Sequence, residues 1–220
     1  MTARPAAAGA LPRLHIVTDD DLIARGGFEA RAAAVLEAAG GAVALHVRGP
    51  RADGATLYRL SSTLLPIAHR TGSLLLVNDR LDVALALGTD GAHVGARSLG
   101  VRVARALLGA DVWLGASVHS ADDAMAARAE GADYAFLGTM FDTPTHTDRK
   151  GMGLEGLVVT VRGVGAFPLI AIGGIDPQRV HEVLAAGAWG VAVVRGVWNA
   201  RDPADAVRRY LEEIERMEDR

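Results

Sequence analysis

The chain has 220 residues, a formal net charge of −3 at pH 7 and no cysteine. This length suits one sizeable domain, and the lack of thiols excludes disulfides, thiol nucleophiles and cysteine-ligated metals. The charge excludes a global basic field for nucleic acid or an anionic membrane. We therefore expect a cytoplasmic protein whose partners are small molecules or other subunits in a homo-oligomer, with no nucleic-acid or membrane partner.

A short apolar run followed by a helix-like stretch recurs about eight times along the chain. The candidate strands begin at Leu14, Val43, Ser73, Gly91, Val112, Tyr134, Leu169 and Gly190. Candidate helices lie between them, for example at 28–39, 54–69, 121–130 and 177–186, and a last one covers 202–217. Nearly all-apolar strands are typical of buried parallel strands. The pattern predicts an α/β protein with a single (β/α)₈ TIM barrel over 14–220 after a flexible tail at 1–13, with a doubly wound open sheet as the alternative.

Polar residues at the ends of two predicted strands indicate the site. In such barrels the chemistry lies at the carboxyl ends of the strands. Because side chains alternate along a strand, Ser117 and His119 share one face, as do His46 and Arg48. We expect these four side chains to surround one cavity at the barrel mouth.

His119 is the candidate acid or base, because imidazole changes charge near neutral pH and can transfer protons both ways. The next residue, Ser120, is expected to cap a helix with acidic residues in its first turn. At the end of the third strand, Asn78 and Asp79 are either helix caps or part of a polar ring or metal site. No histidine spacing resembles a zinc site.

Three further loops are expected to bind substrate. The last two strands end at Gly173 and Gly174 and at Arg195 and Gly196, where many barrels bind phosphate on backbone N–H groups. A guanidinium there adds a charged contact. The loop over 139–153 is long enough for a lid, and its hydroxyls at Thr143 and Thr145 could contact a substrate.

Four stretches resemble the thiamin phosphate synthase/TenI superfamily over nearly the whole chain after residue 13. They read LHIVTDD, LLVNDRLDVALALGTDGAHVG, GASVHSADDAMAARAEGADYAFLGTMFDTPT and LIAIGGIDPQRVHEVLAAGAWGVAVV. The resemblance implies a (β/α)₈ barrel that acts in thiamin biosynthesis. It covers two activities, a Mg²⁺-dependent synthase and a metal-free tautomerase.

Three departures from the synthase pattern favour the tautomerase. The typical Gln-x-Arg-x-Lys after strand two is here HVRGP at 46–50, so Pro50 replaces the lysine. The typical Gly-Gln-Glu-Asp after strand four is here GARS at 95–98, so Ser98 replaces a metal aspartate. The lid lysine is here His146. The synthase pattern is retained at Arg48, Asn78, Asp79, Ser117, Thr143 and Thr145.

The resemblance therefore implies a TenI-like thiazole tautomerase, an isomerase that aromatises a carboxythiazole phosphate. On this interpretation His119 moves the proton, Arg48 binds the carboxylate and Ser117 orients the substrate, while the site binds no metal and needs no cofactor. His46, Asn78, Thr143 and Thr145 complete the substrate site, and Gly173, Gly174, Arg195 and Gly196 bind phosphate. One alternative is a thiamin phosphate synthase, which joins a pyrimidine pyrophosphate to a thiazole phosphate with Mg²⁺. The other is a non-catalytic thiazole phosphate-binding relative.

Overall fold

A closed ring of eight parallel strands forms the centre of the molecule. The computed structural model describes residues 10–142 and 151–218. The strands are β1 (Leu14–Val17), β2 (Val43–Val47), β3 (Leu74–Asn78), β4 (Gly91–Val94), β5 (Trp113–Val118), β6 (Tyr134–Gly138), β7 (Leu169–Ile172) and β8 (Gly190–Val193). Each strand pairs with the next one in the chain, and β8 pairs with β1 to close the ring. The predicted barrel is confirmed, and the doubly wound open sheet is wrong.

The helices of the described part surround this ring. They are α1 (Asp20–Ile23), α2 (Phe28–Ala39), α3 (Gly54–Thr71), α4 (Leu81–Leu87), α5 (Val101–Leu108), α6 (Ala121–Ala129), α7 (Gly153–Val164), α8 (Pro177–Ala185), α9 (Arg195–Trp198) and α10 (Pro203–Glu218). Within the described ranges, no helix is both long and apolar enough to cross a bilayer.

Local signals in the sequence explain where several helices begin and end. Ser120 caps α6 as predicted, because its hydroxyl accepts a hydrogen bond from the backbone N–H of Asp123 at 3.1 Å. Gly40 and Gly88 end α2 and α4 in the left-handed conformation, which glycine adopts without steric cost. These short-range interactions set the length of each helix between two strands.

Two layers of apolar side chains flank the sheet. The outer layer packs between strands and helices, and the inner layer fills the barrel with large side chains such as Trp113, Tyr134 and Phe136. Gly115 makes room for the inner layer, because a β-carbon there would collide with the Tyr134 ring. The interior is therefore a packed core, and a ligand is expected at the carboxyl ends of the strands rather than inside the barrel.

The N-terminal tail was predicted to cover residues 1–13. Most of that range, residues 1–9, lies outside the described part of the chain. Of the remainder, Leu11 is buried and belongs to the inner core layer. The tail as a whole stays a prediction.

Candidate functional site

A cavity of about 350 Å³ opens at the carboxyl ends of the strands. Its volume is in the range of sites that bind small molecules. The predicted site residues that line it are Arg48, Asn78, Ser117, His119, Gly173, Gly174, Arg195 and Gly196. The structure thus brings together residues from the carboxyl ends of five strands, β2, β3, β5, β7 and β8.

Three predicted site residues are not in this lining. His46 lies deeper in the barrel, where it is fully buried. Alternation along β2 correctly places His46 and Arg48 on the inner face, but only Arg48, two residues nearer the carboxyl end, reaches the cavity. Thr143 and Thr145 lie outside the described residues, as does His146.

His119 lies on the rim of the cavity, just after β5. Its Nδ1 is 2.7 Å from the carbonyl oxygen of Gly138, the last residue of β6. A carbonyl can only accept, so Nδ1 donates, and in the neutral ring Nε2 is left as an acceptor. The backbone N–H of His119 also donates to the Asp123 carboxylate at 3.2 Å. The start of α6 therefore fixes the backbone of His119, and the end of β6 fixes its ring.

Arg48 is held at the opposite side of the rim by a buried threonine. The Thr18 hydroxyl accepts from the Arg48 N–H and donates to the Arg48 carbonyl, each at 2.8 Å. Thr18 itself is fully buried at the end of β1. The Arg48 backbone is therefore positioned by the neighbouring strand, while its side chain lines the cavity.

Three buried imidazoles lie at the cavity floor or beneath it: His93 is part of the lining, and His15 and His46 lie deeper. His93 Nε2 is 2.9 Å from the Ser117 hydroxyl, and His46 Nδ1 is 3.0 Å from Asn78 Oδ1. Burial lowers the pKa of His46 to about 4. Burial, reinforced by the His46 ring, also holds the pKa of His15 and of His93 well below the ordinary value. At neutral pH these three rings are uncharged.

The glycine-rich side of the cavity comes from β7, β8 and the loops after them. Gly173 has φ of 110°, and a β-carbon there would lie 2.7 Å from Thr139 Cγ2. At Gly196 a β-carbon would collide with the Tyr210 hydroxyl, which donates to the Ile175 carbonyl at 2.9 Å. Only glycine fits these positions, and its lack of a side chain leaves the backbone open to a ligand.

The sequence did not predict several residues of the lining, and His93 and Asp19 are two polar examples. Neither His93 nor Asp19 was predicted as a site residue, yet both line the cavity. Applying the alternation used for β2 and β5 to β4 would have placed His93 on the inner face. Asp19 also caps α1, because its carboxylate accepts from the Leu22 N–H at 2.9 Å.

Oxygen ligands for a metal ion are few around the cavity. Within residues 10–142 and 151–218, no group of three or more histidine, aspartate or glutamate side chains is arranged to hold an ion. One exposed carboxylate, Asp79, follows β3 with φ of 63° and accepts from the Gly95 N–H at 2.9 Å. Nearby, the buried Ser98 hydroxyl has no hydrogen-bond partner in the described part of the chain. These two oxygens fit a Mg²⁺ ion that takes its other ligands from water and a substrate phosphate.

Comparison with known proteins identifies relatives that match along most of the chain. A sequence model of the thiamine monophosphate synthase family matches residues 14–197. The thiamine-phosphate synthase of Methanoculleus marisnigri is 42% identical over 202 residues, which cover 91% of this chain and 94% of that protein. The one of Moorella thermoacetica is 40% identical over 179 residues, covering 81% of this chain and 85% of the relative. The solved thiamine phosphate pyrophosphorylase of Pyrococcus furiosus superposes with a TM-score of 0.79 at 32% identity, covering 93% and 96% of the two chains.

These relatives overturn the tautomerase interpretation. It rested on three departures from the synthase pattern, at Pro50, Ser98 and His146, and it predicted an isomerase. The relatives described above are instead named as synthases or pyrophosphorylases. The expectation was wrong because it depended on three replaced side chains, whereas the rest of the chain is similar in sequence to the synthases. From the family match over residues 14–197 and the identity to its members, the chain belongs to the thiamine monophosphate synthase family.

Proposed function

We propose that the protein is a thiamine-phosphate synthase, a transferase that joins a pyrimidine pyrophosphate to a thiazole phosphate and releases pyrophosphate. The observation that carries this proposal is the 42% identity to a thiamine-phosphate synthase over nearly the full length of both chains. The cavity supports it, because both substrates are small anions and the lining offers arginines beside glycine-rich loops.

The two anionic groups are assigned to opposite sides of the cavity. The loops at Gly173, Gly174 and Gly196 suit the single phosphate of the thiazole, since small residues let backbone N–H groups approach an anion. Arg195 at the same end adds a positive charge. Arg48 and the Asp79 loop then face the pyrophosphate. This arrangement leaves the part of the cavity beside Ser117 and His119 for the two rings.

Charge neutralisation is the main demand of the reaction, because negative charge develops on pyrophosphate as it leaves. Arg48 supplies a guanidinium that can bind two phosphate oxygens at once. Asp79 and the Ser98 hydroxyl would hold a Mg²⁺ ion, which would supply further positive charge to the leaving group. With one carboxylate rather than two, the chain is expected to bind Mg²⁺ weakly until the pyrophosphate arrives.

His119 and Ser117 are assigned to substrate binding. His119 Nε2 is an acceptor on the cavity rim because Nδ1 donates to Gly138, and the Ser117 hydroxyl is backed by His93. Both side chains are fixed by the protein before a ligand binds. Their role in this proposal is to orient a ring rather than to move a proton.

The test is formation of thiamine phosphate by the purified chain from the two substrates with saturating Mg²⁺. We expect thiamine phosphate and pyrophosphate in equal amounts, with no pyrophosphate when the thiazole phosphate is omitted. Chelation of Mg²⁺ by EDTA should stop the reaction, and excess Mg²⁺ should restore it. A chain that binds both substrates with Mg²⁺ but forms no thiamine phosphate would contradict the proposal.

A further inference from the structure

One tyrosine side chain contacts both loops on the glycine-rich side of the cavity. Tyr210 belongs to α10 and is fully buried. Its hydroxyl donates to the carbonyl oxygen of Ile175, in the loop after β7, at 2.9 Å. The same hydroxyl lies against Gly196, near the beginning of α9, where a β-carbon would collide with it. A single O–H group on the last helix therefore lies between two loops that follow different strands.

Other hydrogen bonds tie each of these loops to its neighbour on the far side. The loop after β7 is bonded to the loop after β6, because the Phe141 N–H donates to the Gly173 carbonyl at 3.0 Å. On the opposite side α9 is bonded to β1, because Trp198 Nε1 donates to the Val17 carbonyl at 2.9 Å. Within the described ranges, no backbone hydrogen bond joins the loop after β7 directly to α9. The distance between the two therefore depends on the side chain that packs between them.

The Tyr210 hydroxyl is a dependable donor to the Ile175 carbonyl. Burial, with a contribution from Asp176, raises the pKa of Tyr210, so the oxygen keeps its proton at neutral pH. Ile175 is itself buried. A buried carbonyl that loses its donor costs free energy, so without the hydroxyl this loop is expected to move until the carbonyl finds another partner.

The spacing of the loops matters because a phosphate between them must reach backbone N–H groups from both at once. Gly173 and Gly174 have φ of 110° and 68°, and glycine loses more conformational freedom than other residues when it is fixed. A loop that the fold already holds in place loses less entropy on binding and so binds an anion more tightly. Tyr210 can provide this from outside, since it does not belong to the cavity lining.

We propose that Tyr210 is a positioning residue that sets the distance between the loop after β7 and the beginning of α9, and thereby the affinity of these two loops for phosphate. The identity of the natural anion rests on the proposed function, in which these loops bind the thiazole phosphate. The contacts of the hydroxyl do not depend on that identity. Binding of inorganic phosphate and synthase activity are therefore tested separately.

The direct test is a titration of the ¹⁵N-labelled protein with inorganic phosphate, followed by nuclear magnetic resonance at the backbone amides of Gly173, Gly174 and Gly196. We expect phosphate to shift these signals in the wild type. The dissociation constant should be about three- to tenfold higher in Tyr210→Phe, which keeps the ring and loses one hydrogen bond. Equal dissociation constants in the two proteins, or no shift of these signals in the wild type, would overturn the proposal.

Thr160→Val is the matched control, because it also removes a buried hydroxyl group. The Thr160 hydroxyl donates to the Gly156 carbonyl at 2.8 Å, within α7 and not to either loop. We expect the dissociation constant for phosphate to stay as in the wild type in this variant, and urea unfolding compares the stability of the two variants. If Thr160→Val weakened phosphate binding as much as Tyr210→Phe, the proposal would be wrong, because any loss of stability would then have the same effect.

A substitution at Gly196 tests the contact with the hydroxyl itself. Gly196 does not have a positive φ, and the three atoms nearest to an added β-carbon all belong to Tyr210. We expect Gly196→Ala to weaken phosphate binding, and Tyr210→Phe in the same chain to restore part of the affinity by removing the colliding oxygen. A double variant that binds phosphate no better than Gly196→Ala would contradict the proposed contact.

Steady-state kinetics test the consequence for the proposed reaction. We expect Tyr210→Phe to raise the KM for the thiazole phosphate by about three- to tenfold. The kcat and the KM for the pyrimidine pyrophosphate should be unchanged, because the phosphate is bound equally in the ground state and the transition state. A lower kcat with unchanged KM values would contradict the positioning role. If the wild type forms no thiamine phosphate, the proposed function fails, and the phosphate titration still decides the role of Tyr210.

Discussion

At the scale of single residues, the site depends on side chains whose backbones are fixed from neighbouring strands. Arg48 is the clearest example, because Thr18 binds both polar groups of its backbone. A side chain whose backbone is already fixed loses less conformational entropy when it binds an anion. Substitutions at such positions should therefore affect substrate binding and turnover more than folding.

Arg48→Ala is expected to lower kcat/KM for the pyrimidine pyrophosphate by about 100-fold, because a charge-assisted contact to phosphate is lost. The free energy of unfolding should change little, since the side chain is only half-buried. Steady-state kinetics and urea unfolding measure the two effects. The control is Arg102→Ala, which removes an exposed arginine of α5 away from the cavity. A similar loss of activity in both variants would argue against the assigned role.

Asp79→Asn tests the metal assignment without disturbing the backbone, because asparagine tolerates the positive φ found there. The amide is a weaker ligand for a hard cation than the carboxylate. We expect the Mg²⁺ concentration for half-maximal activity to rise by about tenfold or more, a loss of at least about 1.4 kcal/mol. Activity titrated against Mg²⁺ gives this value. An unchanged titration curve would exclude Asp79 as a ligand.

At the scale of elements, the strand ends and their loops determine what the cavity can bind. The loop after β7 is constrained, since Gly173 has φ of 110° and its carbonyl oxygen accepts from the Phe141 N–H at 3.0 Å. This contact ties the ends of β6 and β7 together on the glycine-rich side. A change of backbone there should affect stability and phosphate binding at the same time.

Gly173→Ala is expected to lower the free energy of unfolding by about 1–3 kcal/mol, because alanine is strained at this φ and its β-carbon collides with the neighbouring loop. The KM for the thiazole phosphate should rise in the same variant. Urea unfolding and initial rates check the two effects. Gly100→Ala is the control, as its φ is −60° and a β-carbon there meets nothing within 4 Å. Unchanged stability in Gly173→Ala would show that the loop can relax.

The elements themselves were largely predictable, whereas the depth of each side chain was not. Apolar runs and glycine stops located all eight strands, because parallel strands are buried on both faces. Alternation then assigned the inner face but could not say how far up the barrel a residue lies. His46 and Arg48 have the same parity, and only the register of β2 against its neighbours separates them. The activity was misjudged for a different reason, since replaced side chains do not reveal which reaction the remaining ones support.

At the scale of the whole molecule, three uncharged histidines in one barrel link folding to pH. In the unfolded chain their rings bind protons below about pH 6.5. In the folded chain burial holds their pKa values lower, to about 4 for His46. The unfolded state therefore binds more protons as the pH falls, and the folded state loses stability.

We expect the free energy of unfolding to be constant above about pH 6.5 and to fall by about 2 kcal/mol for each buried histidine between pH 6.5 and pH 5. Urea midpoints measured at intervals from pH 7.5 to pH 5 give the profile. His181→Asn, which removes an exposed histidine of α8, should leave the profile unchanged. His15→Phe, which removes one of the three buried imidazoles, should show a shallower decline of the free energy of unfolding with falling pH. Equal slopes in His15→Phe and His181→Asn would contradict the explanation.

Closure of the sheet by β8 against β1 also affects how copies of the protein meet. Within the described ranges every strand has a partner on both sides, so the native state presents no unpaired row of backbone groups as a template for a neighbouring chain. Amyloid-type aggregation then requires the barrel to open first. Thioflavin fluorescence in a heated sample should accordingly rise only after the loss of the native circular dichroism signal, however concentrated the solution.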